Sequence, residues 1–448
     1  MIIVAGAGSA GLTAALAASD RKLEVLLIEP DLRAYLSCNS ARSTGMVMAG
    51  GTKIQKRSGV DDNWEWLLAD ILKKNRGRCA MSVVRALVKA SAPMVDWLAE
   101  SHGVDFSVVK EFRYPGHTQF HMHATPSRSG QELVDSLWRA VRRAPQITVL
   151  EGCKLTALDV GDGKITGARI QYPDGRHEDI ATDTVILATN GFGNRKDWVR
   201  RYIPSMAEAT YFGGPNSDGS GIEAALKLGA GVGFMSSYQG HATINTETGL
   251  LVTYSTVMTG GILINIVGDR FGDETAGYSE FAERIMSQPD RRAYVVFDQS
   301  TYEVAIRFRD FREIVAAGAV RSWETTQSLG GGLGLIPSVW HETADTVSRC
   351  KAGDIRDRFG RADWGRAWRS PLYSVVVHGA LLHTQGGLAV NEHAQVLREI
   401  DGEPIIGLYA AGGAAQGISG DGADGYLSGN GLLSAMGLGF IAGNHAGN

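Results

Sequence analysis

Three glycines, Gly6, Gly8 and Gly11, stand at Gly-x-Gly-x-x-Gly spacing directly after an apolar run, Ile2-Ile3-Val4-Ala5. The chemistry open to such a triplet is binding of a dinucleotide pyrophosphate. Gly6 permits a tight turn, Gly8 lets backbone approach the phosphates, and Gly11 lets a helix close onto a strand. Ser9 and Ala10 lie within the turn, at the helix end whose free amides and positive partial charge favour phosphate. Glu29 follows Gly11 by 18 residues, where a carboxylate accepts hydrogen bonds from a ribose diol. A second chemistry-bearing stretch is Tyr114-Pro115-Gly116-His117-x-x-x-His121-Met122-His123. Its groups could bind a substrate, with Tyr114 as a phenol. The three histidines raise the question of a metal, but no carboxylate completes a ligand set. No metal is expected.

The elements around these residues suit them. A small-residue helix runs through Leu12-Thr13-Ala14-Ala15-Leu16-Ala17-Ala18, and a second apolar strand, Val25-Leu26-Leu27-Ile28, ends at Glu29. Amphipathic helices are predicted around Asn63–Lys74 and Ser82–Ser101, with a helix-and-strand unit from Gly130 to Val149. A strand, Thr184 to Ala188, runs into Thr189-Asn190-Gly191-Phe192-Gly193. Another, Ile405 to Ala411, ends at Gly412-Gly413, and a helix follows from about Gly431 to Gly443. Glycine-ended strands far from the first unit predict a sheet rebuilt from distant pieces of chain. From 233 to 376 the texture changes to strand-like runs with more aromatics and charge. We read residues 1–232 and 377–448 as one α/β nucleotide-binding domain, and 233–376 as a cap inserted into it.

Bulk composition excludes several classes. The chain has 448 residues, 44% hydrophobic and 21% charged, with a net charge of −4. That is ordinary for a globular protein and makes no electrostatic case for nucleic acid. No apolar stretch approaches the ~20 residues of a membrane span. Four scattered cysteines and a first strand beginning at residue 2 fit a reducing, cytoplasmic setting.

Four pieces of sequence resemble the fumarate reductase/3-ketosteroid dehydrogenase superfamily of flavoproteins. They are Gly6-x-Gly8-x-x-Gly11, Asn39-Ser40-Ala41-x-Ser43-Thr44-Gly45, Ala188-Thr189-Asn190-Gly191-x-Gly193 and Gly407-Leu408-Tyr409-Ala410-Ala411-Gly412. The run Thr384-Gln385-Gly386-Gly387-Leu388 also looks like this family's return from cap to FAD domain. The resemblance implies a Rossmann-like FAD-binding domain of the GR2 flavoprotein type with an inserted α+β capping domain. It implies FAD at Gly6, Gly8, Ser9, Ala10, Gly11, Glu29, Asn39, Ser40, Ser43, Thr44, Gly45, Ala188, Thr189, Asn190, Gly191, Gly412, Gly413, Gly429, Asn430 and Leu432. Some family members attach the flavin to a histidine in the loop equivalent to 39–45. This loop has none, so FAD is expected to be non-covalent.

The branch is read from two substitutions. Asp269-Arg270-Phe271-Gly272-Asp273-Glu274 resembles the reductases' Gly-x-Arg-Phe-x-x-Glu motif, whose proton-donating arginine falls eight residues after the motif arginine. Tyr278 stands there. Tyr426-Leu427-Ser428-Gly429-Asn430 matches the reductases' Arg-Leu-Gly-Gly-Asn, again with tyrosine for arginine. Tyrosine at both places is similar to the ketosteroid dehydrogenases. The resemblance makes Tyr278 the base and Tyr426, with an amide near Gly429–Gly431, the donor to a ketone. Hydrogen bonds to a carbonyl oxygen stabilise the enolate that forms as an α-proton leaves. His241 and His383 resemble substrate histidines of the reductases, and Tyr114 is a further phenol. A purely structural role stands open beside each of these residues.

The function expected is FAD-dependent desaturation next to the ketone of a cyclic substrate, a ketosteroid, an oxocyclohexane or a keto acid, with an external electron acceptor. Reduction of an unsaturated acid and a non-catalytic flavin-binding or electron-transfer role are the alternatives.

Overall fold

A computed structural model describes residues 1–111 and 113–447. The chain forms two compact units. One comprises Met1–Ile203, Gly213–Gln239 and Leu382–Asn448, the other Pro204–Phe212 and Gly240–Leu381. The breaks at 239/240 and 381/382 fall inside continuous strands, Tyr238–Asn245 and Leu372–Thr384. The change of texture at 232/233 and 376/377 therefore does not coincide with them, because each strand begins in one unit and ends in the other.

The first unit is built on parallel strands. β1 (Ile2–Ala5) leads into α1 (Ser9–Asp20) and β2 (Val25–Glu29). α2 (Trp64–Asn75) and α3 (Gly130–Arg143) precede β3 (Ile147–Glu151) and β4 (Val185–Leu187), with β5 (Pro404–Ala410) and α4 (Asn430–His445) closing the unit. The parallel order is β3-β2-β1-β4-β5. β1, β2 and β4 are buried along their whole length, as strands covered on both faces must be. Residue 4 thus pairs with residues 27 and 186, and 186 with 409.

α1 is buried from Ser9 to Ser19 because it is sandwiched. Its second partner is α4, whose Gly439 and Gly443 let the helices nearly touch. A Cβ on either glycine would lie 2.3 Å from the carbonyl oxygen of Ala10 or Ala14. Contacts advance in the same direction along both helices, so α1 and α4 run parallel with their N-termini at the same end. α4 begins nine residues before Gly439, α1 one residue before Ala10. At 1.5 Å per residue, the start of α4 therefore projects about 12 Å further.

The second unit centres on a mixed sheet. Strand Arg292–Asp298 pairs antiparallel with Ile262–Asn265 and with Leu372–Thr384. Alternation along it is regular: Ala293, Val295 and Phe297 enter one cluster with Phe281 and Phe311, while Val296 enters another with Ile262, Ile264 and Trp340. Period-two alternation with both faces apolar places helices on both sides of the sheet. Among the described residues no helix is long and apolar enough to cross a membrane.

Candidate functional site

The glycine turn has the conformation its spacing predicts. Gly6 has φ +103°, and a Cβ there would sit 2.3 Å from Ala188 O; one on Gly11 would sit 1.8 Å from Gly6 O. Both positions exclude side chains, whereas the nearest atom to a Cβ on Gly8 is 3.9 Å away. α1 starts after Gly8 with no side-chain cap, leaving its first-turn amides to a ligand. Glu29 is buried and already anchors the turn: Oε2 accepts from Ala7 N at 2.7 Å and Oε1 from Asp31 N at 2.9 Å. Burial pushes its pKa up, and the two amides oppose that. A carboxylate accepts about four hydrogen bonds, so capacity for a diol remains.

The loop at Asn39–Gly45 is tied into the same place. Ser9 Oγ and Ser40 Oγ are 2.7 Å apart, and Ser43 Oγ donates to Ser40 O and accepts from Gly45 N. Gly45 has φ +67°, and Thr44 is exposed. Asn39 Nδ2 donates to Asn190 Oδ1, which also accepts from Gly191 N. A Cβ on Gly413 would meet Gly191 N at 2.6 Å, and one on Gly412 would meet Ala10 Cβ at 3.1 Å. The strand ends after β4 and β5 therefore converge on α1. The buried Thr189 Oγ1 and Asn430 Oδ1 have no protein partner, and α4 begins after Gly429 without a side-chain cap. Leu432 is buried in its first turn. Two uncapped helix starts, an acid, glycine walls and two orphaned oxygens fit a flavin dinucleotide.

Beside α4 lies a chain of polar side chains. Asn430 Nδ2 donates to Ser419 Oγ at 2.9 Å and Ser419 Oγ to Gln385 Oε1 at 3.0 Å, while His383 Nδ1 lies 3.2 Å from Gln385 Nε2, a donor, and 3.3 Å from Thr384 O, an acceptor. His383 Nε2 sits 3.0 Å from where a Cβ on Gly431 would be. Burial lowers the His383 pKa to about 4, so the ring is a neutral donor. Tyr426 is buried and meets His383 edge-on with ring centroids 6.0 Å apart. Tyr114 is half-buried, 6.5 Å from the His117 ring. Gly116 faces Leu427 Cδ1. The turn carrying Tyr114 therefore touches the loop carrying Tyr426.

The histidine segment needs a correction. A carboxylate does complete the cluster, supplied by α2 rather than by neighbouring sequence. His121 Nδ1 donates to Asp62 Oδ2 at 2.7 Å, and Nε2 to Asp70 Oδ2 at 3.0 Å. Burial disfavours charge on His121, but the two carboxylates outweigh it and hold its pKa above the ordinary histidine value. Burial likewise opposes charge on Asp70, yet bonds from His121 and Thr118 hold its pKa low. A signal existed in the sequence. Asp70 lies on the apolar stripe of α2 between Leu67 and Ile71, all three buried.

In the second unit, His241 and Tyr278 stack with centroids 5.0 Å apart and planes 27° apart, and Tyr254 closes on Tyr278 edge-on at 5.8 Å. His241 Nδ1 accepts from Thr243 N, and burial lowers its pKa to about 3. Tyr254, which sequence reasoning passed over, donates its hydroxyl to Glu274 O. Tyr278 is half-buried and begins the helix Tyr278–Met286.

The motif arginine is committed elsewhere. Arg270 forms a two-pronged bond to Glu274 and another to Asp357, while Arg361 reaches Glu274 from the other side. All four side chains are buried. Two positive and two negative charges cancel, and the network fixes the turn that leads to Tyr278.

Comparison with known proteins follows the same lines. The FAD binding domain family matches residues 1–432. A probable fumarate reductase, Ifc3, of Shewanella frigidimarina is 30% identical over 448 residues, covering 99% of this chain and 74% of the relative. The open conformation of a flavocytochrome c3 fumarate reductase superposes with TM-score 0.82 at 28% identity, over 99% of this chain and 77% of that one. A 3-ketosteroid Δ4-(5α)-dehydrogenase from Rhodococcus jostii RHA1 superposes with TM-score 0.80 at 21% identity, covering 100% and 96%. At that identity the last likeness concerns the fold.

Proposed function

The chain belongs to the FAD-binding-domain family and is an FAD-dependent oxidoreductase, and from that premise we propose that it introduces a carbon–carbon double bond next to the ketone of a cyclic substrate. The observation that carries this reading is the state of the polar groups around the two tyrosines. Tyr278 stacks on a histidine kept neutral by burial, Tyr426 meets another, and Arg270 and Arg361 are saturated by Glu274 and Asp357. Gripping a dicarboxylate calls for available cations; neutral donors suit a carbonyl oxygen.

In this reading Tyr278 Oη takes the α-proton. Tyr426 Oη and an amide near Gly429–Gly431 donate to the ketone, with the His383 ring beside Gly431 as a further polar group. Tyr114 lines the same loop cluster. When bound, FAD would supply the hydride acceptor for the neighbouring carbon. Gly6, Gly8, Gly11, Glu29 and the start of α1 would hold its dinucleotide portion, and Asn39–Gly45, Gly412, Gly413 and the start of α4 the remainder, without a covalent bond. A small cyclic ketone or keto acid as substrate, an external electron acceptor and a cytoplasmic setting complete the proposal.

A second reading, reduction of an unsaturated acid, is favoured by the 30% identity to a probable fumarate reductase. Anaerobic mixing separates the two. Cyclic ketones should bleach the flavin absorbance of the purified protein. If ketones leave it unchanged while fumarate or another unsaturated acid reoxidises the dye-reduced protein, the reductase reading replaces the first. If neither acts, the protein binds flavin without this catalysis.

A further inference from the structure

We propose that Asp70, His117 and His121 bind one divalent transition-metal ion of the zinc class, with Asp62 holding the back of the His121 ring. The inference does not depend on the proposed reaction. Each residue offers one donor atom, and the three atoms lie within 4.8 Å of one another. Tetrahedral zinc with ligands at 2.0–2.2 Å sets neighbouring donors about 3.4 Å apart, so a modest contraction completes the set.

Three observations point to a cation. First, His117 is buried, and its Nε2 lies 3.1 Å from Ser428 O. A carbonyl only accepts, so Nε2 carries the proton and Nδ1 is a bare lone pair. That Nδ1 is buried without any partner, which is costly for a polar atom unless something binds it.

Second, the charges do not balance. Asp62 and Asp70 share one imidazole, with side-chain exposures of 0% and 3% against 0% for His121. Their other partners are Gln55 Nε2, Asn63 N, Thr118 N and Thr118 Oγ1, all neutral. Two carboxylates against at most one imidazolium leave a buried net negative charge, which an added cation would neutralise.

Third, the orienting bonds already exist. Asp62 accepts from His121 Nδ1 and is itself held by Gln55 Nε2 at 2.6 Å. This is the carboxylate–histidine arrangement that fixes a ring for ligation through its other nitrogen. On binding, the His121 Nε2 proton that now bridges to Asp70 leaves to solvent, and both atoms turn to the ion. Two histidines and one carboxylate form a zinc-type ligand set with a fourth position for water. The ion's role would be positional. His117 donates to Ser428 O, two residues beyond Tyr426, so anchoring its ring steadies the loop that carries that phenol.

The test uses the full-length, FAD-loaded protein, stripped with a chelator and titrated with zinc chloride alone, with metal counted by mass spectrometry. About one zinc per chain is expected, as for a single structural site. Cobalt(II) in its place should give tetrahedral ligand-field bands at longer wavelength than the flavin. His117→Ala should lose stoichiometric zinc and those bands, while Asp62→Asn should weaken zinc by about 10- to 100-fold. Flavin absorbance reports folding of each variant; if His117→Ala does not retain it, His117→Gln takes its place. Failure of the stripped wild-type chain to take up stoichiometric zinc or cobalt on titration overturns the proposal. So does equal binding by wild type and a folded His117 variant.

Discussion

In the proposed reaction Tyr278 is the base, and its replacement is the most direct measurement. Tyr278→Phe keeps the ring that stacks on His241 and removes the oxygen. Turnover should fall about 100- to 10,000-fold, the range for a lost general base, with unchanged flavin content by absorbance. His241 makes a separate prediction through its lowered pKa of about 3. Above pH 6.5 the ring is neutral both folded and unfolded. As pH falls from 6.5 towards 3, the unfolded chain takes up a proton that the native ring refuses, so stability is lost with acidification. The slope from this one group is up to about 1.4 kcal/mol per pH unit. His241→Asn should flatten that part of a plot of urea midpoint against pH. The sequence showed the two tyrosines through resemblance and the glycines through spacing. It could not show that Arg270 is consumed by Asp357, 87 residues away, or that Asp70 meets His121, because such pairings are made by tertiary packing alone.

Among the elements, β1, α1 and β2 were legible because periodicity, glycine spacing and the terminal acid agree in one short stretch. The seam between α1 and α4 was not, since nothing in Gly439-x-x-x-Gly443 names its partner. That seam gives an expectation of its own. Gly439→Ala would push a methyl to 2.3 Å from Ala10 O, an overpacking that costs roughly 1–3 kcal/mol. The melting temperature should fall and FAD should dissociate more readily, because the two helix starts lose their alignment. Glu29→Ala should weaken FAD retention by a different route, leaving Ala7 N without its acceptor at a cost of about 1–3 kcal/mol. Equilibrium dialysis with FAD measures both. Glu29→Gln, which keeps an acceptor, should fall between wild type and alanine.

At the scale of the molecule, one unit is assembled from three stretches of chain and the other is spliced between them. Two of the four crossings, at 239/240 and 381/382, are made by unbroken strands whose alternation carries no mark of a boundary. The parallel α1–α4 pair has a further consequence, in time rather than space. α1 opens at residue 9 and α4 at residue 430. At 5–20 residues per second, the ribosome delivers the second helix roughly 20–80 s after the first. Throughout that interval the face of α1 that α4 covers has no partner, and the start of α4 is missing from the proposed coenzyme site. A chain that stops before residue 430 should therefore emerge colourless, without bound flavin.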